Sequence, residues 1–392
     1  MAARGDGVAA DGSFHAGAAP GDVIKPDGVL IVGPHHAAPA CQHSPKCGGC
    51  QLQHVDDVAY AAYVVARIAD ALKAQNLEGP DIRAPHLSPP RTRRRASLKA
   101  QKWGKQILLG FNEASSHRLV DIHDCAVLHP DLMGLVAPLR RLLGAMMGGR
   151  GQAEVQLTLL DQGVDVLLKD VTVEGMVAIE ALNDFAAQHR LGRLSLDEGY
   201  GAEPRYVPEP ATITLGGVAV PFPQGSFLQA TADGETALVG AVREGVSEAY
   251  PVADLFCGLG TFALPLAANG AQVYAVEGAR DALLALSGGA RQAGIALTTE
   301  HRDLFRRPLT AAELAHFNAV VIDPPRAGAK EQVAELVRSS VPRIISVSCN
   351  PATFARDAAM LTAGGYALRW IQPVGQFRWS THVELVGLFM RS

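Results

Sequence analysis

The chain has 392 residues, 48% of them apolar and 19% charged, with a formal net charge of −4. That length and composition build two or three packed domains and imply that most of the chain folds. The near-neutral balance also excludes bulk attraction to nucleic acid, so any such contact needs a local basic patch.

No run approaches the ~18 consecutive apolar residues of a membrane span. The start, Met1-Ala2-Ala3-Arg4-Gly5-Asp6-Gly7, lacks the continuous apolar stretch of a signal peptide. A cytoplasmic protein with no membrane partner is expected. Its six cysteines, Cys41, Cys47, Cys50, Cys125, Cys257 and Cys349, then read as free thiols or metal ligands rather than disulfides.

Residues 1–40 are rich in Ala, Gly, Pro and His, with short β-prone pieces such as Val23-Ile24 and Val29-Leu30-Ile31-Val32. Next, Cys41-x5-Cys47-x2-Cys50 gathers three soft ligands in one loop, with Gly48-Gly49 letting the backbone fold around a metal. Cys125 is the candidate for a fourth. All-thiolate ligation suits an iron–sulfur cluster or a structural zinc, and spacing does not separate the two.

A helix is predicted from about Asp56 to Gln75, where Tyr60, Val64, Ile68 and Leu72 make one apolar stripe. From Arg83 to Lys105 there are eight Lys or Arg and no acid. Strand alternation puts Arg93, Arg95 and Lys99 on one face, a pattern that fits phosphate contacts; solvated charge is the plainer reading. Residues 107–220 mix strand-like runs (Ile107 to Phe111, Val155 to Leu159) with helices predicted near 131–147 and 173–189.

From about Thr231 onward, helices alternate with apolar strands predicted at Val252 to Phe256, Gln272 to Val276, Asn318 to Ile322 and Arg343 to Val347. Near-continuous apolar strands between helices indicate a parallel sheet covered on both faces. Three of these strands deliver chemistry to one edge. The first ends in Phe256-Cys257-Gly258-Leu259-Gly260, a glycine turn suited to close approach of a ligand. Glu277 ends the next strand, where a carboxylate accepts both hydroxyls of a ribose. The third glycine of the dinucleotide pattern is missing, since Ala263 and Leu264 follow, which favours S-adenosylmethionine over NAD. Asp303 is placed to meet the adenine, or to cap a helix.

Asp323-Pro324-Pro325-Arg326 is a rigid turn at the same edge. Such turns occur in nucleic-acid methyltransferases, but Arg326 stands where adenine methylation would want an aromatic. Cys349 ends the next strand between Ser348 and Asn350, less core-like than a structural thiol, and a nucleophilic thiol needs exposure and a lowered pKa. In Trp379 to Val386 the alternation of a strand places Glu384 on a polar face with His382, as a general base or as plain surface charge.

Together, Cys-x5-Cys-x2-Cys…Cys, Phe227-x-Gln229, Asp254-Leu255-Phe256-Cys257-Gly258-x-Gly260, Asp323-Pro324-Pro325-Arg326, Ser348-Cys349-Asn350-Pro351 and His382-Val383-Glu384 resemble the bacterial RNA 5-methyluridine methyltransferases. The similarity is greater to the iron–sulfur members that act on 23S ribosomal RNA, and it runs from about residue 41 to 392. It implies an α/β fold: a truncated TRAM-like β segment (1–40), a central α+β iron–sulfur and RNA-binding domain (41–230) and a C-terminal Rossmann-like class I methyltransferase domain (231–392).

The resemblance implies that Cys349 attacks C6 of uridine and that Glu384 removes the C5 proton. Gln229, Phe256, Thr261, Glu277, Asp303 and Asp323 would contact S-adenosylmethionine. Cys41, Cys47, Cys50 and Cys125 would hold a [4Fe–4S] cluster, and the partner would be RNA, met by a monomer. Thr231 and Thr261 depart from the family, which usually has asparagine at both positions. The alternatives are a non-catalytic RNA-binding iron–sulfur protein, a cytosine-modifying enzyme, and the same chemistry on transfer RNA, whose enzymes typically lack the cysteine cluster.

Overall fold

The apolar runs of the C-terminal half form a sheet buried on both faces. In a computed structural model that describes residues 1–391, Val252–Leu255 and Ala319–Ile322 are buried at every position. The sheet has nine strands, in the order Thr298–His301, Val273–Glu277, Val252–Leu255, Ala319–Ile322, Arg343–Ser348, Glu384–Arg391, Tyr366–Gly375 and Asp81–Ile82, with His86–Leu87 also pairing with Tyr366–Gly375.

The first five strands are parallel, while Glu384–Arg391 runs antiparallel to both neighbours. Successive strand residues point to opposite faces. Ala253, Leu255, Val320 and Ile322 therefore enter one core, and Val252, Val321, Ile345 and Val347 the other. Strand order reverses between Val252–Leu255 and Ala319–Ile322, the place where an α/β sheet opens a ligand crevice.

A second sheet has seven strands, in the order Ala202–Tyr206, Arg193–Asp197, Gly163–Lys169, Arg150–Leu160, Arg95–Trp103, Gln106–Asn112 and Leu119–Asp121. Only Gly163–Lys169 with Arg193–Asp197 is a parallel pair. Leu98, Ala100, Val155 and Leu157 pack with Leu132, Leu135 and Leu139 of the helix Pro130–Met146. The opposite face is polar, as in antiparallel sheets wetted on one side.

The helix Asp57–Lys73 forms where its stripe predicts, with Asp56 accepting from the Ala59 N–H at its start. It joins the core of the parallel sheet, packing on Pro351–Ala363, and Asp81–Ile82 extends that same sheet. The hairpin Thr212–Leu215 with Val218–Pro221 packs on Arg280–Gln292. Residues 41–230 thus contribute to both sheets. Long-range pairing leaves no mark in a local pattern.

Residues 1–40 form two separate ladders, Gly7–Val8 with Phe14–His15 and Val23–Ile24 with Leu30–Ile31. Among the described residues they close no barrel. The strand expected from Trp379 begins only at Glu384, because Trp379 sits at φ 57°, outside the β region. Among the described residues no helix is long and apolar enough to cross a membrane.

Candidate active site

Register decides what meets at the sheet edge. Leu255 pairs with Ile322, Ile322 with Ser346, and Ser348 with Leu385. Phe256 and Asp323 therefore leave neighbouring parallel strands at one level, and Cys349 leaves the next strand two residues further along. Glu384 opens an antiparallel strand and so arrives at that level from the other direction. All four line one cavity of about 850 Å³, with Gln229, Gly258, Glu277, Arg93, Arg326 and His382.

The electrostatics of this edge are those of crowded acids. Asp323 is pushed up to about 7 by burial. Glu384, 4% exposed, is pushed up to about 8 by burial and then by Asp323. The strand alternation suggested a wetted face for Glu384; instead its side chain is enclosed and lines the cavity.

Cys349 is half-buried and pushed up to about 11, first by burial and then by Glu384 and Asp323. The thiol is therefore raised where a lowered pKa was expected. Asp254, fully buried beneath the glycine turn, is also raised by burial and by Asp323, and neither carboxylate oxygen has a partner.

The cofactor candidates divide. Glu277 accepts from the Gly258 N–H at 2.9 Å and the Ala279 N–H at 2.7 Å, so it braces the glycine turn and retains lone pairs toward the cavity. Phe256 holds φ 62°, a strained conformation for a bulky residue, with its ring 5.3 Å from that of Phe305. Gln229 is buried and accepts from Gln376 Nε2 at 2.7 Å, while Gln376 Oε1 accepts from the Ala230 N–H at 2.8 Å.

Thr261 and Asp303 are not among the lining residues. Asp303 Oδ1 accepts from the N–H groups of Phe305 and Arg306 at 3.0 and 3.3 Å and so closes the turn that follows it, while Oδ2 faces Arg306 at 3.4 Å. Thr231 is buried and caps the helix Ala232–Val246, accepting from the Gly234 N–H.

Gln376 is a residue the sequence did not reveal. It fastens the Gln229 loop and favours the ionised form of Glu384 by hydrogen bonding. No local pattern marks it; only the fold brings residues 229, 376 and 384 together.

The cationic candidates also separate. Arg93 faces the cavity with its guanidinium 5.3 Å over the Phe377 ring, and burial lowers its pKa. Arg95 donates to the Leu228 carbonyl at 2.7 Å and lies 4.9 Å over the exposed Phe227 ring. Lys99 lies beyond the lining and is bound to Glu154 of the neighbouring strand. Part of the charge of the acid-free run is compensated: Arg83 pairs with Glu244, Arg94 with Glu235 and Arg91 with Asp124.

Cys41, Cys47, Cys50 and Cys125 are all free and line the same cavity. Cys50 is pushed up to about 12 by burial first, and the thiolates of Cys125, Cys47 and Cys41 add repulsion. Four facing thiols fit a thiolate-bound group in donor chemistry. Among the described residues, no three His, Cys, Asp or Glu side chains are grouped closely enough to hold a metal ion. The loop is tied to the approach to Glu384, since the Trp379 carbonyl accepts from the N–H groups of Gln51 and Leu52, both at 2.9 Å.

A family model described as tRNA (Uracil-5-)-methyltransferase matches residues 203–392. An uncharacterized RNA methyltransferase of Zymomonas mobilis is 50% identical over 391 residues, covering 100% of this chain and 98% of the relative. The 23S rRNA (uracil(1939)-C(5))-methyltransferase RlmD of Shewanella piezotolerans is 32% identical over 372 residues, covering 90% of this chain and 81% of the relative. In fold, the chain is similar to the Pyrococcus abyssi tRNA (uracil-54, C5)-methyltransferase solved with S-adenosyl-L-homocysteine, with TM-score 0.74, 24% identity and coverage of 100% and 98%. The chain belongs to the S-adenosylmethionine-dependent RNA uracil-C5-methyltransferases.

Proposed function

We propose that the chain methylates C5 of a uridine in 23S ribosomal RNA, with Cys349 as nucleophile and Glu384 as base. The observation that carries this reading is the convergence of Cys349, Glu384 and Asp323 on one cavity beside the glycine turn. Uracil C5 is too weak a nucleophile until an adduct at C6 pushes electron density onto it.

Cys349, entering as the thiolate, bonds through Sγ to C6, and the electron pair of the C5–C6 double bond moves toward C5 and O4. When bound, S-adenosylmethionine supplies the electrophilic methyl group, together with a positive charge that favours the ionised forms of Cys349, Asp323 and Glu384. Glu384 then takes the C5 proton. The returning electron pair re-forms the C5–C6 double bond, expels the Cys349 thiolate and leaves 5-methyluridine. Gln229, Phe256, Glu277 and Asp323 hold the cofactor, and Thr261 and Asp303 complete its shell from outside the lining. Arg93 and Arg95 meet RNA at the mouth, with Lys99 at the margin.

Cys41, Cys47, Cys50 and Cys125 are read as ligands of a [4Fe–4S] cluster. The chemistry above has no redox step, so its role is to hold the loop that grips Trp379 and, through it, the approach to Glu384. Residues 1–40 are read as a shortened TRAM-like segment, 41–230 as the iron–sulfur and RNA-binding part and 231–392 as the methyltransferase part of a cytoplasmic monomer. The name of the Shewanella relative favours ribosomal RNA; the family model's description favours transfer RNA as the second reading.

Tritium release from [5-³H]uridine-labelled 23S ribosomal RNA and transfer RNA, by the anaerobically purified protein, tests this. Release from ribosomal RNA alone is expected. Release from transfer RNA alone overturns the substrate, and release from neither overturns the chemistry.

A further inference from the structure

The open face of the antiparallel sheet leads away from the cavity. Along Arg95–Trp103, Ala96, Leu98 and Ala100 are buried, so Arg95, Ser97, Lys99, Gln101 and Trp103 share the opposite face. In the adjacent strand, Gln156, Glu154, Gln152 and Arg150 stand opposite Ser97, Lys99, Gln101 and Trp103 in turn. The track begins at the cavity-side Arg95 and ends at Trp103, eight residues on, or roughly 26 Å along an extended strand.

Its far end is unlike its middle. In the middle, Lys99 is neutralised by Glu154. At the end, Trp103 is 55% exposed, whereas Trp370 and Trp379 are 9% and 8% exposed. The Arg150 guanidinium lies 5.2 Å from the Trp103 ring, and exposed Lys105 sits in the adjoining turn. Neither segment that builds this tip, residues 100–106 or 148–153, contains an acid. Lys102 is turned inward, donating to the carbonyls of Gly144 and Met147, so Lys105 and Arg150 are the cations presented outward.

A wetted aromatic ring flanked by unneutralised cations is the pairing that captures a single-stranded base together with its phosphates. We propose that this tip is a second RNA contact, in which an unpaired base of the substrate stacks on Trp103 while Arg150 and Lys105 hold the flanking phosphates. The proposal rests on RNA being the substrate, not on which uridine is methylated. It places the contact on the same sheet face as Arg95, so one RNA reaches both.

Trp103 is the exposed one of the three tryptophans, and the emission change lost in Trp103→Ala is the part that reports on it. The full-length protein, titrated with an unlabelled single-stranded RNA 20-mer of mixed sequence, should show quenched tryptophan emission. Trp103→Ala should bind the 20-mer about tenfold more weakly and Trp103→Phe nearly as tightly as the parent. Arg150→Glu and Lys105→Glu should each lower the salt slope of binding by about one. On 23S ribosomal RNA, Trp103→Ala should raise KM and leave kcat unchanged.

Unchanged emission and unchanged binding by Trp103→Ala overturn the proposal, and so does equal loss in Trp103→Phe, because stacking survives that change. If the wild type quenches but never releases tritium, the catalytic reading falls and this one stands. If tritium release is normal and indifferent to Trp103, the reverse holds.

Discussion

The parallel-sheet edge and the open antiparallel face use the same strand alternation for opposite ends. In the parallel sheet, helices cover both faces, so side chains at the strand ends are the ones left to meet a ligand. Acids collected there are desolvated and raised, as Asp323 and Glu384 are. In the antiparallel sheet one face stays wet, so its polar residues keep solvent and spread along a track. Reactive chemistry gathers where water is scarce, and recognition extends where it is plentiful.

The largest effect that sharpens this contrast is Cys349→Ala. Turnover should fall by at least about a thousandfold, while calorimetry shows S-adenosylmethionine and RNA binding intact. Residual turnover within tenfold of the parent would remove Cys349 from the chemistry. Next comes Glu384→Gln, which should cost on the order of a hundredfold or more and leave RNA covalently attached through Cys349. A denaturing gel would reveal that attachment as a slower protein band, and its absence would take the C5 proton away from Glu384.

A smaller effect is the pH dependence of stability without cofactor. In the unfolded chain, Asp323 and Glu384 ionise near their ordinary values, but in the folded protein they hold protons to about 7 and about 8. The unfolded state therefore loses protons first, and stability falls as pH rises from about 4 through about 8. Each group contributes about 1.4 kcal/mol per pH unit within its window. Thermal melts from pH 5 to 9 should show the decline, and Glu384→Gln should flatten it; a melting temperature rising with pH would contradict the enclosed edge.

The smallest effect is expected on the wet face. Lys99→Ala should change stability by less than about 1 kcal/mol, and RNA affinity by less than about threefold, since Glu154 already neutralises Lys99. A larger loss of RNA affinity would mean that the pair opens on binding and that the track is continuous from Arg95 to Trp103.

Much of the edge was legible because strand ends are local events. An apolar run followed by Gly258 and Gly260, by Pro324 and Pro325, or by Cys349 announces both the strand and what leaves it. The helix Asp57–Lys73 was equally legible as a helix, yet its place against the parallel sheet was not, since an amphipathic stripe states that something is buried but not against what. Asp303 was open between ligand and cap; its Oδ1 closes a turn through Phe305 and Arg306, and the next helix starts only at Ala311. Gln376 left no trace, because its partners lie 147 residues away at Gln229 and across a turn at Glu384.

By itself, the sequence determined the apolar strands of the parallel sheet, the helix Asp57–Lys73, the glycine and proline turns, the trio Cys41, Cys47 and Cys50 and the family, all of which follow from residue type at short spacing. Only the tertiary structure decided that Cys349 and Glu384 are enclosed with Asp323, that Lys99 is neutralised while Arg93 is not, and that Trp103 ends an open track. Those outcomes depend on register and burial, and both are set by pairings between residues far apart in the chain.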